Sequence, residues 1–96
     1  MEKDKHETVV VFRMEGKDSV VAVFPYLIAD HKGNLTCYTQ TEQHNAMSRE
    51  YYRETKKATP MQYDKLLKEL ESIGYNLKVE KRVVWSKVTE AYRNLM

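Results

Sequence analysis

The sequence predicts one α+β domain: a mostly antiparallel four-stranded sheet, with elements in the order β-β-β-α-β-α, one main helix packed on it and a short C-terminal helix. Three observations carry this. Two runs rich in β-branched and aromatic residues flank a glycine near the front of the chain. A later segment has a helix start, an apolar stripe and a helix stop in the right order. An alternating run follows directly after it. Ninety-six residues make a single domain over 1–96, and a chain of that length buries roughly 60–65% of its unfolded surface.

The first two strands are TVVVFRM (8–14) and SVVAVFPYLI (19–28), joined by EGKD (15–18) with Gly16 free to take a positive φ. Val10, Phe12, Met14, Val20, Ala22 and Phe24 fall on one face of this hairpin, and Val9, Val11, Val21 and Val23 on the other. A sheet with one wet face alternates more cleanly. The second face therefore needs a cover, either the C-terminal helix or a second copy of the chain. Pro25 has no backbone donor, which predicts an open ladder or a bulge there. The turn signal DHKGN (30–34) separates the second strand from a third, LTCYTQ (35–40).

In ATPMQYDKLLKELESIGYN (58–76), Thr59 stands at an N-cap position, Pro60 at the first helical position and Gln62 where a capping box needs it. Tyr63, Leu66, Leu67, Leu70 and Ile73 make one apolar stripe, and Gly74 supplies a left-handed stop. Transfer estimates give about 1.5–3 kcal/mol for each of the five buried side chains, together several times a cap's contribution of about 1 kcal/mol, so packing decides that this helix forms. NLKVEKRVVW (76–85) alternates and reads as the fourth strand, paired with either the first or the third. In SKVTEAYRNLM (86–96), Ser86 reads as a cap and Trp85, Val88, Tyr92 and Leu95 recur at helical intervals.

Residues 1–7 are expected to be disordered and 41–58 to form a long connection, partly helical. Connections this long are uncommon in compact domains and are often functional. Asn45 is a candidate cap for a short amphipathic helix over about 45–54.

Composition narrows the function classes. The chain is 42% hydrophobic and 31% charged, as expected of a soluble globule. No apolar run approaches ~20 residues, and MEKDKHE lacks the apolar segment of a signal peptide, so a cytoplasmic protein without a membrane partner is expected. The single cysteine, Cys37, excludes an intrachain disulfide and any multi-cysteine zinc site. His31, Cys37 and His44 match no zinc module, and the three glycines form no phosphate loop. No metal and no cofactor are expected.

The formal net charge is +2. Basic residues concentrate in two blocks, Arg49/Arg53/Lys56/Lys57 and Lys78/Lys81/Arg82/Lys87/Arg93. Seven tyrosines, some interleaved with arginine as in Arg49–Tyr51–Tyr52–Arg53, suit a binding surface because each offers a large apolar body and a polar tip. The candidate surface is Tyr38, Gln43, His44, Arg49, Tyr51, Tyr52 and Arg53. A Cys37/His44 nucleophilic pair lacks an orienting group and an oxyanion donor, so Cys37 reads as a small buried strand residue and no catalytic residue is assigned.

VVFR (10–13), VAVFPYLIAD with KGN (21–34), CYTQTEQH (37–44) and TKKATPMQYDKLLKELESIGYNLKVEKR (55–82) resemble a family of small uncharacterised bacterial proteins met also in phage and mobile-element genomes. The family pattern has an FR strand, an ALFP strand, a Tyr-x-His-x-Gly-Gln-His segment, a Thr-Lys-x-Ala-Thr cap and a Glu-Leu-x-x-Ile-Gly-Tyr helix end. Gln43–His44 and Ala58-Thr59-Pro60 match it. Gln40 stands in place of its first His and Glu42 in place of its Gly. The resemblance implies element boundaries and no activity.

Three functions are therefore in view. The first is a non-enzymatic interaction module, binding an unidentified protein or self-associating as a homodimer through the hairpin or the Trp85/Tyr92 stripe. The second is a nucleic-acid-binding accessory protein using Arg49, Arg53, Lys56 and Lys57. The third is an enzyme using His44.

Overall fold

The computed structural model describes residues 7–39 and 44–95, so the expectations for residues 1–6 and 40–43 lie outside the described residues. Strands β1 (Thr8–Glu15) and β2 (Ser19–Ile28) form the expected hairpin, closed by Glu15↔Ser19. β3 (Leu35–Thr39) runs antiparallel to β2, and its register shifts between Phe24 and Ile28, around Pro25, as the missing donor requires. Next come β4 (His44–Met47), α1 (Arg49–Glu54), β5 (Lys56–Lys57), α2 (Pro60–Ser72), β6 (Leu77–Val79) and α3 (Trp85–Asn94). The sheet order is β4-β3-β2-β1-β5, with β6 parallel to β1 on the edge that β5 also occupies.

Both faces of the hairpin are buried within the chain. Val10, Phe12, Met14, Val20, Ala22 and Phe24 pack against Leu66 and Leu70 of α2. Val11, Val21 and Val23 pack against Leu35, Met47, Tyr52 and Val88, the last from α3. The C-terminal helix is thus the cover that the second face needs, and the sheet makes no demand for a second copy. α2 starts with the complete Thr59/Gln62 capping box. It ends with Tyr75 N–H on the Leu70 carbonyl and Gly74 N–H on the Glu71 carbonyl, the paired bonds of a Schellman stop, with Gly74 at φ 112°. Ile73 departs from the expected stripe: it is the C-cap residue and is exposed.

Several expectations are corrected. The helix expected over 45–54 begins only after Ser48, whose Oγ accepts from Tyr51 N–H. Residues 44–47 instead add a strand to β3, because that pairing buries Met47 under α3's face of the sheet. Asn45 is not a cap. The fourth strand expected over 76–85 stops at Val79. Beyond it, the next carbonyl on that edge of β1, on Phe12, already accepts from Ala58 N–H, so β5 leaves no further room. Trp85 opens α3 rather than ending a strand, and the N-cap is Val84, with no side-chain cap bond; Ser86 lies inside the helix. The four-stranded sheet is consequently six-stranded among the described residues.

The long connection now has an explanation. β4 lies at one edge of the sheet and β5 at the other. α1 carries the chain across the α3 face between them, burying Tyr52 as it goes.

A candidate docking cleft on the sheet edge

The sheet divides the predicted surface in two. Tyr38 and His44 are partners across β3 and β4, with their rings edge to face and centroids 4.9 Å apart. Tyr38 is buried in the α2-side core. His44 is exposed, and its Nε2 lies 2.7 Å from the hydroxyl of Tyr75, a residue that the sequence reading did not single out. Tyr75 in turn stacks on Phe24, centroids 5.1 Å apart. Burial pushes the Tyr75 hydroxyl up, so it stays protonated at neutral pH and is no phenolate base or nucleophile. Among the described residues, a shallow hollow beside His44 is lined by Ile73, Gly74 and Tyr75. Among the described residues no three His, Cys, Asp or Glu side chains converge as a metal site would need.

On the opposite face, Tyr52 is a core residue. Its ring meets Trp85 edge to face at 5.4 Å, and the Arg13 guanidinium lies over it at 4.6 Å. Arg13 also donates through Nε to Thr55 Oγ1 at 2.8 Å and through Nη2 to the Thr55 carbonyl. Thr55 Oγ1 donates to the Tyr52 carbonyl at 2.5 Å. Arg53 sits over Trp85 at 5.7 Å, and Tyr51 donates to the Glu15 carboxylate at 2.5 Å. Arg49 borders a hollow with Thr89, Tyr92 and Arg93. Gln43 is outside the described residues. The predicted residues therefore form two separate clusters, and Tyr38 and Tyr52 serve packing.

A cavity at the other edge of the sheet was not predicted. β5 runs antiparallel to β1 and its ladder stops at Arg13↔Lys57; β6 runs parallel to β1 and stops at Val10↔Val79. The two strands thus advance toward each other along one edge. Ala58 N–H reaches the Phe12 carbonyl at 3.1 Å and Glu80 N–H the Val10 carbonyl at 2.9 Å. There they part, one into α2 and the other into the bend at 81–82. The space between them is a cleft of about 320 Å³, at the lower end of the usual range for ligand sites. Its floor is Phe12, stacked on Tyr63 with centroids 4.3 Å apart and planes at 11°. Ala58, Pro60 and Val79 form its apolar walls, and Lys57, Thr59, Glu80 and Lys81 its polar rim. Met61, the next residue after Pro60, is 93% exposed. Each basic block in the sequence contributes part of this edge, but nothing local showed that two short strands would meet there. No family model, no curated protein and no solved structure matches the chain.

Proposed function

We propose that the protein is a non-enzymatic interaction module that holds an apolar side chain of a partner protein's extended segment in the cleft between β5 and β6. The observation that carries this reading is the parted sheet edge over the Phe12/Tyr63 floor. Its apolar centre and charged rim have the anatomy of a protein interface. Among the described residues no histidine, cysteine or serine lines it. The Thr59 hydroxyl is engaged in the helix cap, and Glu80 is turned to Lys78 at 3.9 Å. Such a set binds and has no nucleophile and base in register. Self-association has less support, because the hairpin faces and Val88 of α3 are already spent on the chain's own core.

Selection from a random peptide library on the immobilised protein tests this. Selected peptides are expected to bind Val79→Asn about tenfold more weakly and to bind Ile73→Asn, an exposed residue away from the cleft, with unchanged affinity. Melting curves check that both variants fold. A library that yields no binder, or binders indifferent to Val79→Asn, overturns the proposal.

A further inference from the structure

We infer that the segment this cleft takes is acidic, an inference that rests on the cleft being the docking site. The fold brings together basic residues that are far apart in sequence. Lys56 and Lys57 form β5, and Lys78, Lys81 and Arg82 lie on and just after β6. Lys56 pairs with Met14 and so shares the α2 face, while Lys57 pairs with Arg13 and shares the α3 face, so cations flank the edge on both sides. The segments 56–57 and 77–82 on this edge carry five cations and one carboxylate, Glu80, a larger excess than the net +2 of the whole chain. That carboxylate is the partner of Lys78, and Lys56, Lys57, Lys81 and Arg82 are exposed with no ion pair among the described residues. α2 directs its N-terminal end at the same place and has no acidic residue in its first turn. Its capping box occupies the Thr59 and Gln62 amides, so the helix adds positive potential more than donors.

The partner fits protein better than nucleic acid. Phe12 and Tyr63 stack on each other and Phe12 is buried, which leaves no ring pair open to sandwich a base. The edge carries mostly lysines, compact point charges, and the forked guanidinium groups suited to phosphate are mostly elsewhere: Arg53 is over Trp85 and Arg49 and Arg93 are beside Tyr92.

The test uses fluorescein-labelled peptides with a central phenylalanine flanked on each side by two glutamates or by two glutamines, and a labelled oligothymidylate. Anisotropy titrations at low and high salt give the affinities. The glutamate peptide is expected to bind about tenfold tighter than the glutamine peptide at low salt. Added salt is expected to close that gap. Lys57→Gln/Lys81→Gln should narrow it by weakening the glutamate peptide more than the glutamine peptide. Equal affinity of the two peptides overturns the acidic preference and leaves the cleft reading standing. Oligothymidylate that displaces the peptide and is itself lost in the double variant overturns it in favour of nucleic acid. Failure of both peptides to bind overturns the inference and the cleft reading together.

Discussion

At the scale of single residues, the account turns on a few satisfied polar groups inside small cores. Thr55 is the buried polar residue that ties β1 to the end of α1, through the Arg13 guanidinium and the Tyr52 carbonyl. Thr55→Val keeps the shape and leaves the Arg13 Nε without its acceptor. A loss of about 1–3 kcal/mol is expected, read from urea unfolding. Cys37 gives a pH signature. Burial, helped by the Glu15 charge, pushes its thiol up, and burial pushes the Tyr52 hydroxyl up against the opposing pull of Arg13. Both groups are neutral when protonated, so stability is full below the unfolded thiol pKa of about 8.5. It falls as pH rises above that value, because the unfolded chain ionises first. The urea midpoint should drop between neutral and alkaline pH, and drop less in Cys37→Ala. Some of this scale was legible in the sequence. The Thr59/Gln62 box and the Gly74 stop follow from local spacing and are present. The pairing of His44 with Tyr75, 31 positions apart, and of Arg13 with Thr55, 42 apart, depends on which strands become neighbours, and no local pattern encodes that.

At the scale of elements, periodicity was a good guide where one residue set had one burial demand. The hairpin, the Pro25 irregularity and α2 show this. It failed over 45–48, where a strand takes the front half of the helix expected over 45–54, and it missed β5. Four- and two-residue strands are too short to show a period, and the bonds that define them belong to β3 and β1. It failed again at 80–85, where alternation continued past the point at which β1 had an edge left to pair with. The β2–β3 turn gives a prediction at this scale. Gly33 has φ +81°, and a Cβ there would meet the Tyr92 ring at 3.1 Å. Tyr92 also donates to the His31 carbonyl at 2.5 Å, so the turn and the end of α3 hold each other. Gly16 has a similar φ of +75° with open space around it. Alanine is strained at both, but only at Gly33 does it also push on α3. Gly33→Ala should therefore lower the melting temperature more than Gly16→Ala.

At the scale of the whole molecule, one sheet lies between two covers made by the same chain. Leu70 seals the α2 face and Val88 the α3 face, both fully buried. Leu70→Ala should cost about 2–5 kcal/mol. Val88→Ala should cost about 2 kcal/mol, from two buried methyl groups and the cavity they leave. If α3 covers its own sheet, the melting temperature of either variant is independent of protein concentration. The sequence showed that a second cover was required and which segment was suited to supply it. It did not show that α1 would share the task, since Tyr51 and Tyr52 look alike until the sheet order places one at Glu15 and the other at Trp85. The cleft belongs to this scale too, because it exists only where β5 and β6 meet on one edge.

A sample mixed from isotope-labelled and unlabelled chains tests the central claim, that the sheet is enclosed by its own chain. Isotope-filtered proton–proton contacts between the Val88 methyls and those of Val21 and Val23 are expected only within labelled chains, in a species sedimenting as an 11.4 kDa monomer. The same contacts appearing between labelled and unlabelled chains, in a dimer, would contradict it.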